Sequence, residues 1–302
     1  MNKRSYSFLV VLIGLMVFTL AITACGGGEP ALGSKDNPYV WVLVPSTEVE
    51  MVQSGAEAIA AKIEEQSGIV IEPLVAADYA EAVKAMCDQE AHLGALNTFS
   101  YLLAHNDKCA DVALVSTRYG TTFYSGQVVA YVDTGITQVA DLAGTTFCRP
   151  DPTSTSGWVI PSIAMRAQGL NLESDLTEII DAGGHDGVIK AVYEGQCQAG
   201  ASFVDARDLV EEEFPDVKEK VVVITESPPI PNDTISFIPA ISDQDRKKLT
   251  EAFLELTQTE EGVEILGLPQ NWEGLERVED NFYNGFRQQL EAANVNIEDL
   301  AQ

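Results

Sequence analysis

Positive charge is scarce in this sequence: 18 Lys and Arg stand against 46 Asp and Glu, for a formal charge of −28. That balance argues against nucleic acid as a partner, because a phosphate backbone is held by Lys and Arg. It also repels anions at long range, so an anion site here has to act at short range through aimed donors. Histidine and cysteine are few, 3 and 5. No C-x-x-C or H-x-x-x-H spacing occurs, so no metal and no other cofactor is expected. No serine lies in a G-x-S-x-G turn, the setting of one large class of hydrolase nucleophiles. Ser156, His185 and Asp205 can be written on paper as a triad, but triads are defined by geometry, and an enzyme is not expected. Internal repeats and low-complexity segments are also missing.

Long apolar runs are confined to the N-terminus. Lys3 and Arg4 precede Phe8–Ile22, which is followed by Thr23, Ala24 and Cys25. A positive start, a short apolar stretch and small residues before a cysteine form a bacterial signal peptide with a lipobox. The apolar run has 15 residues, short of the roughly twenty that span a bilayer. Cleavage of residues 1–24 and lipidation of Cys25 are therefore expected. Loss of Lys3 and Arg4, with no acids, takes the formal charge from −28 to −30. Acyl chains on Cys25 would hold the protein at a membrane surface. Residues 25–38 have no apolar period and read as a flexible tether.

An exported protein sits where disulfides persist. Cys87, Cys109, Cys148 and Cys197 allow three pairings. Cys87 and Cys109 are close in sequence, and the Cys148 and Cys197 segments fall in one lobe of the assignment below. Cys87–Cys109 and Cys148–Cys197 are the expected pairs.

From Tyr39 onward apolar runs alternate with helical spacing. Tyr39–Val44 and Ile69–Val75 read as strands. Val49, Val52, Ala56, Ile59, Ala60 and Ile63 share one helical face, which Gly68 ends. A strand at Val112–Ser116 closes the first set. The pattern restarts after Gln127–Tyr131, with strands at Thr145–Cys148, Glu178–Asp181, Gln198–Val204 and Lys220–Thr225. A strand at Thr234–Pro239 follows. The tail reads as helical, broken near Gly267–Pro269 and Trp272. Alternating strands and helices imply an α/β layer fold with a largely parallel sheet. Two sets and a return strand imply two lobes, 39–130 plus 235–302 and 131–234. The crossings fall near 128–133 and 230–237, with a ligand cleft between the lobes.

The densest chemical signal is Asp151-Pro152-Thr153-Ser154-Thr155-Ser156-Gly157-Trp158. Its hydroxyl residues open a helix, where free N–H groups and the dipole favour an anion. Ser154, Thr155 and Ser156 could add hydroxyl donors to a tetrahedral oxyanion. One of them could be an ordinary N-cap; three need another reason. Gly183-Gly184-His185-Asp186 forms a second strand–Gly–helix junction. Asp205 follows the strand ending at Val204, and Asp233 lies on a crossing. Tyr79, Tyr101 and Tyr124 sit at the ends of first-lobe elements. Arg118, Arg149 and Arg207 flank these loops, with surface ion pairs as their expected use.

Together, Asp78-Tyr79, Tyr124, the STSG at Ser154–Gly157, Gly184-His185-Asp186, Val204-Asp205 and Pro231-Asn232-Asp233 resemble the phosphonate-binding proteins of ABC importers, the PhnD-like family. The resemblance runs in order over most of the mature chain. It implies an α/β, two-lobe periplasmic-binding-protein fold, type II-like, and capture of a phosphonate, phosphite or related phosphorus oxyanion for an ABC permease. It implies that Ser154, Thr155, Ser156 and His185 hold the phosphorus oxygens, with Tyr79 and Tyr124 beside them. It places Asp205 and Asp233 at the far end, where an aminoalkyl group or a protonated P–OH would satisfy them. The expected protein is an extracytoplasmic, lipid-anchored monomer in the cell envelope. A receptor-kinase sensor, or an importer subunit for a different small anion, is the alternative reading.

Overall fold

In the computed structural model the described residues are 30–295 and Ile297. The expected signal peptide and the lipidation residue Cys25 lie outside them. Among the described residues, no helix is long and apolar enough to cross a membrane.

The first buried runs become parallel strands because helices connect them. β1 (Tyr39–Leu43) leads through α1 (Val49–Ser67) to β2 (Ile71–Val75), then through α2 (Tyr79–Cys87) to β3 (Leu93–Leu96). β1 pairs in parallel with both β2 and β3, as helical crossovers require. Gly68 ends α1 at φ 71°, a conformation glycine adopts without steric cost. α3 (Thr98–Asn106) and β4 (Asp111–Thr117) follow. The second set holds β6 (Gly126–Tyr131), β7 (Thr146–Arg149), α4 (Ile160–Ala167), the short α5 (Leu172–Asp175), β8 (Glu178–Asp181), α6 (His185–Tyr193), β9 (Ala199–Phe203), the short α7 (Val217–Lys220) and β10 (Val221–Glu226). The two-residue strands β5 (Phe123–Tyr124) and β11 (Ile230–Pro231) flank this set. The chain ends with β12 (Thr234–Phe237), α8 (Asp243–Leu256), α9 (Glu260–Gln270), β13 (Gly274–Arg277) and α10 (Asn284–Ala292).

Two sheets result, each the centre of one lobe. The first has the order β13-β4-β12-β3-β1-β2 and the second β10-β6-β9-β7-β8. Both faces of the second sheet are covered. Val128 and Ala130 of β6 face one apolar cluster with Phe147 and Trp158. Val129, between them, faces another with Val188 and Ile189. That is the period-two alternation of a strand buried on both sides. The first lobe packs around Trp41, Phe99 and Phe253, and its cluster takes in Val159 and Ile160 from the second.

The structure departs from the expectations in four places. The sheets are mixed: β12 runs antiparallel between β3 and β4, and β6 runs antiparallel to β9 and β10. These strands arrive by crossing between lobes and have no helical crossover to set their direction. The first crossing precedes 128–133, since Val128–Tyr131 belong to β6. The chain passes between sheets at 118–125 and 227–233, where β5 and β11 pair antiparallel. Part of the expected tether is docked: Gly33 is buried, and Val70 N–H donates to its carbonyl at 2.8 Å. Finally, α9 runs through Gly267 and Pro269 and ends at Asn271, φ 55°. The expected break near Trp272 is present, at 271–273, but the half-buried edge strand β13 follows it in place of a helix.

Candidate functional site

β7 delivers the hydroxyl segment to the cleft. Asp151 fixes the approach: its Oδ1 accepts from Thr153 N–H at 2.6 Å and the Thr153 hydroxyl at 2.7 Å. Its Oδ2 accepts from Tyr79 N–H at 3.2 Å, across the cleft. Ser154 is the N-cap, its Oγ accepting from Gly157 N–H at 3.2 Å. The Ser154 carbonyl accepts from both Trp158 and Val159 N–H at 2.9 Å. This wide turn over Thr155–Val159 is π-helical, a form often found at functional positions. Thr155 and Ser156 N–H, first in the helix, have no intrahelical acceptor. They also have no other acceptor among the described residues. Gly126 permits this: a Cβ there would come within 2.8 Å of the Ser156 carbonyl.

The three hydroxyls have different duties. Ser154 caps the helix. Thr155 Oγ1 accepts from Phe99 N–H at 3.0 Å and donates to Asn97 Oδ1 at 3.1 Å, joining the lobes. The Ser156 hydroxyl faces the Tyr124 phenol. Burial and the Asp233 charge push the Tyr124 phenol above its ordinary range, with Ser156 and Arg118 acting against them. Burial does the same to Tyr79.

His185 opens α6, and its N–H donates to the Ser46 carbonyl at 3.0 Å. Its Nδ1 lies 2.8 Å from Ser202 Oγ and its ring 4.8 Å from that of Phe203. Burial, helped by Arg118, lowers its pKa to about 3. The imidazole is neutral near pH 7, and a Ser202 proton given to Nδ1 leaves Nε2–H free to donate. Among the described residues no carboxylate bonds the ring, whose Nδ1 partner is Ser202, so the paper triad with Asp205 is not assembled there.

A cavity of about 30 Å³ collects Tyr79, Tyr124, Ser154, Thr155, Ser156, His185 and Asp233. Seven of the eight residues singled out for the ligand therefore meet there. Asp205 does not. It lines an outer groove of about 780 Å³ with Asp208, Glu226, Glu264 and Glu273, and its backbone turns left-handed at φ 67°. Tyr101, by contrast, is structural: its hydroxyl donates to Asp280 at 2.8 Å.

Among the cavity residues that sequence reasoning missed are Asn97, Ser46, Gln270 and Arg118. Asn97 caps α3 through Oδ1, 2.8 Å from Ser100 N–H, while its Nδ2 is buried without a partner. Ser46 Oγ and Gln270 Oε1 are likewise buried and unpaired among the described residues. Arg118, expected at the surface, forms a buried pair: Nη2 is 2.6 Å from Asp233 Oδ2, with side chains 12% and 8% exposed. Nε and Nη2 also donate to the Gln270 carbonyl at 3.2 and 2.8 Å. Trp272 Nε1 donates to the same Asp233 oxygen at 3.2 Å. Arg149 instead pairs with Asp181 and covers the Trp158 ring at 4.4 Å. Arg207 donates to the Val221 carbonyl. Among the described residues no three His, Cys, Asp or Glu side chains gather as metal donors.

Two α/β lobes around a cavity that gathers unpaired polar groups are the architecture of a cleft-binding protein. The chain belongs to the family described as ABC transporter, phosphonate, periplasmic substrate-binding protein, whose model matches residues 41–283. It is 26% identical over 198 residues to the phosphate-import protein PhnD of Mycolicibacterium smegmatis, covering 61% of this chain and 62% of that one. It is 24% identical over 209 residues to the phosphonates-binding periplasmic protein of Escherichia coli, covering 68% and 62%. The matches thus span less than two thirds of the length of these relatives. The fold is similar to the binding component of an ABC phosphonate transporter from Pseudomonas aeruginosa, with TM-score 0.78, 19% identity and coverage of 85% and 87%. It is also similar to PhnD1 of Prochlorococcus marinus in complex with methylphosphonate, with TM-score 0.74, 13% identity and coverage of 85% and 98%.

Proposed function

We propose that this chain is the substrate-binding lipoprotein of an ABC importer, and that it captures a small phosphorus oxyanion between its lobes for a membrane permease. The observation that supports this is the convergence of unpaired donors on one cavity. Thr155 N–H, Ser156 N–H, Asn97 Nδ2 and His185 Nε2 come from three segments in two lobes. A tetrahedral oxyanion can accept from several directions at once. Hydrogen bonds to charged groups contribute roughly 1.5–3 kcal/mol each, enough for several to offset long-range repulsion. The names of the relatives favour phosphorus within the class of small oxyanions.

In this reading the first lobe comprises 39–117 with 234–295, and the second 126–226. Residues 1–24 are removed, Cys25 carries the lipid, and the protein works as a monomer outside the cytoplasm. No catalytic step belongs to the role. Titration calorimetry of the lipid-free mature protein with methylphosphonate, phosphite, phosphate and sulfate tests the function. At least one phosphorus compound should bind, and Ser156→Ala should weaken it about tenfold or more. Silence across the phosphorus compounds would end this proposal. For the anchor, Cys25→Ser should move the protein from the membrane to the soluble fraction; retention in the membrane would count against lipidation.

A further inference from the structure

The Arg118–Asp233 pair raises a question that stability does not answer. Removing two charges from water costs about as much as their attraction returns, so a buried pair is weak evidence of a structural role. This pair sits in the cavity wall. The guanidinium is held at Nε and Nη2 by the Gln270 carbonyl and at Nη2 by Asp233. Its carbon lies 5.6 Å from the Tyr124 ring centre and 5.8 Å from that of Phe203. Nη1 has no partner among the described residues. Arg118, Tyr124, Phe203 and Asn271 line both the small cavity and the outer acidic groove. They form the partition between the two spaces.

We infer that Arg118 is the specificity-determining residue of this site: it supplies the positive charge that would otherwise have to come with the ligand, and its side chain closes the route by which a longer substituent would leave the cavity. The inference rests on the function proposed above and narrows it. Asp233 is already neutralised by Arg118 and bonded to Trp272. Asp205, the other acid expected beside the ligand, lies beyond the partition. The cavity therefore offers no free carboxylate to an ammonium group, and the fixed guanidinium opposes one. What fits is a compact oxyanion with no cationic arm, such as phosphite, phosphate or methylphosphonate. Gln270 Oε1, buried without a donor, suits a protonated oxygen on such a ligand.

The test compares methylphosphonate with 2-aminoethylphosphonate by calorimetry, in the parent protein and in two variants. The parent should favour methylphosphonate by about a hundredfold, the scale of misplaced like charge at a desolvated site. Arg118→Met frees Asp233 and opens the partition, so it should weaken methylphosphonate and narrow or invert that ratio. Arg118→Met with Asp233→Asn keeps the wall neutral and guards against misfolding of the single variant. It should lose methylphosphonate affinity without gaining the aminoethyl compound. Equal or tighter binding of 2-aminoethylphosphonate by the parent overturns the inference while leaving the proposed function intact. An unchanged ratio in both variants overturns it as well. Failure of every phosphorus compound to bind removes the proposed function and this inference together.

Discussion

At the scale of single residues, His185 links burial to pH. Its pKa falls to about 3 in the folded protein, against about 6.5 for an exposed histidine. The unfolded chain therefore binds a proton first as the medium is acidified. Stability from this group is complete above pH 6.5 and is lost as pH falls toward 3. By pH 5 the loss should be about 2 kcal/mol. Urea melts of the parent and His185→Gln at pH 7.5 and 5 read it directly: the variant should lose less between the two pH values. The hydroxyl segment should divide in a similar way. Ser154→Ala should cost about 1 kcal/mol of stability as a lost cap, whereas Ser156→Ala should act on affinity. The hydroxyl run was legible because three such residues at a strand-to-helix junction exceed what one cap needs. Arg118, Asn97 and Gln270 were not. Each belongs to a crossing, a cap or a helix end, and only the folded chain brings these three positions to one point. Asn97-Thr98 after the buried Leu93–Leu96 run was a cap signal that could have drawn notice.

Between elements, the close contacts carry the energetic consequences. Gly55 lets α1 meet α9: a Cβ there would lie 2.6 Å from Pro269 N. Gly55→Val should cost about 1–3 kcal/mol through overpacking, seen as a lowered denaturation midpoint with an unchanged slope. Cys87–Cys109 and Cys148–Cys197 are both present, with Cα separations of 4.7 and 5.8 Å. Replacing either pair by alanine should cost about 2–4 kcal/mol. Denaturant titration without reductant checks this, and midpoints equal to the parent would contradict it. Strands buried on both faces were readable from their apolar runs, as β6 and β9 show. β13 was hidden because Glu276 and Arg277 are exposed, so its four residues lack an apolar signature. In sequence α9 reads as broken, because proline usually stops a helix. Here Pro269 falls in the last turn.

For the whole molecule, charge sets the encounter and the cleft sets the grip. A chain at −28 repels an anion until it is close, and salt screens that repulsion over about 10 Å at 0.1 M. The association rate for a phosphorus oxyanion, followed by stopped flow, should therefore rise between 20 and 200 mM salt. A rate that falls would mean that a local positive field at the mouth outweighs the total charge. The grip is shared across the cleft by Thr155 with Asn97 and Phe99, Asp151 with Tyr79, and His185 with Ser46. Two lobes could be inferred from two α/β sets. Their contact could not, because it is made by caps and backbone groups without a sequence period.

The paired β5 and β11 strands have a mechanical consequence. Tyr124 faces Ile230 and Phe123 faces Pro231, so the two connections are bonded side by side. A single connection is a swivel, free to twist about its own axis. Two bonded connections resist torsion and sliding but still flex perpendicular to their plane. Any parting of the lobes is then guided along one arc, like a door on two pins. The donors on either jamb return to the same alignment each time it shuts.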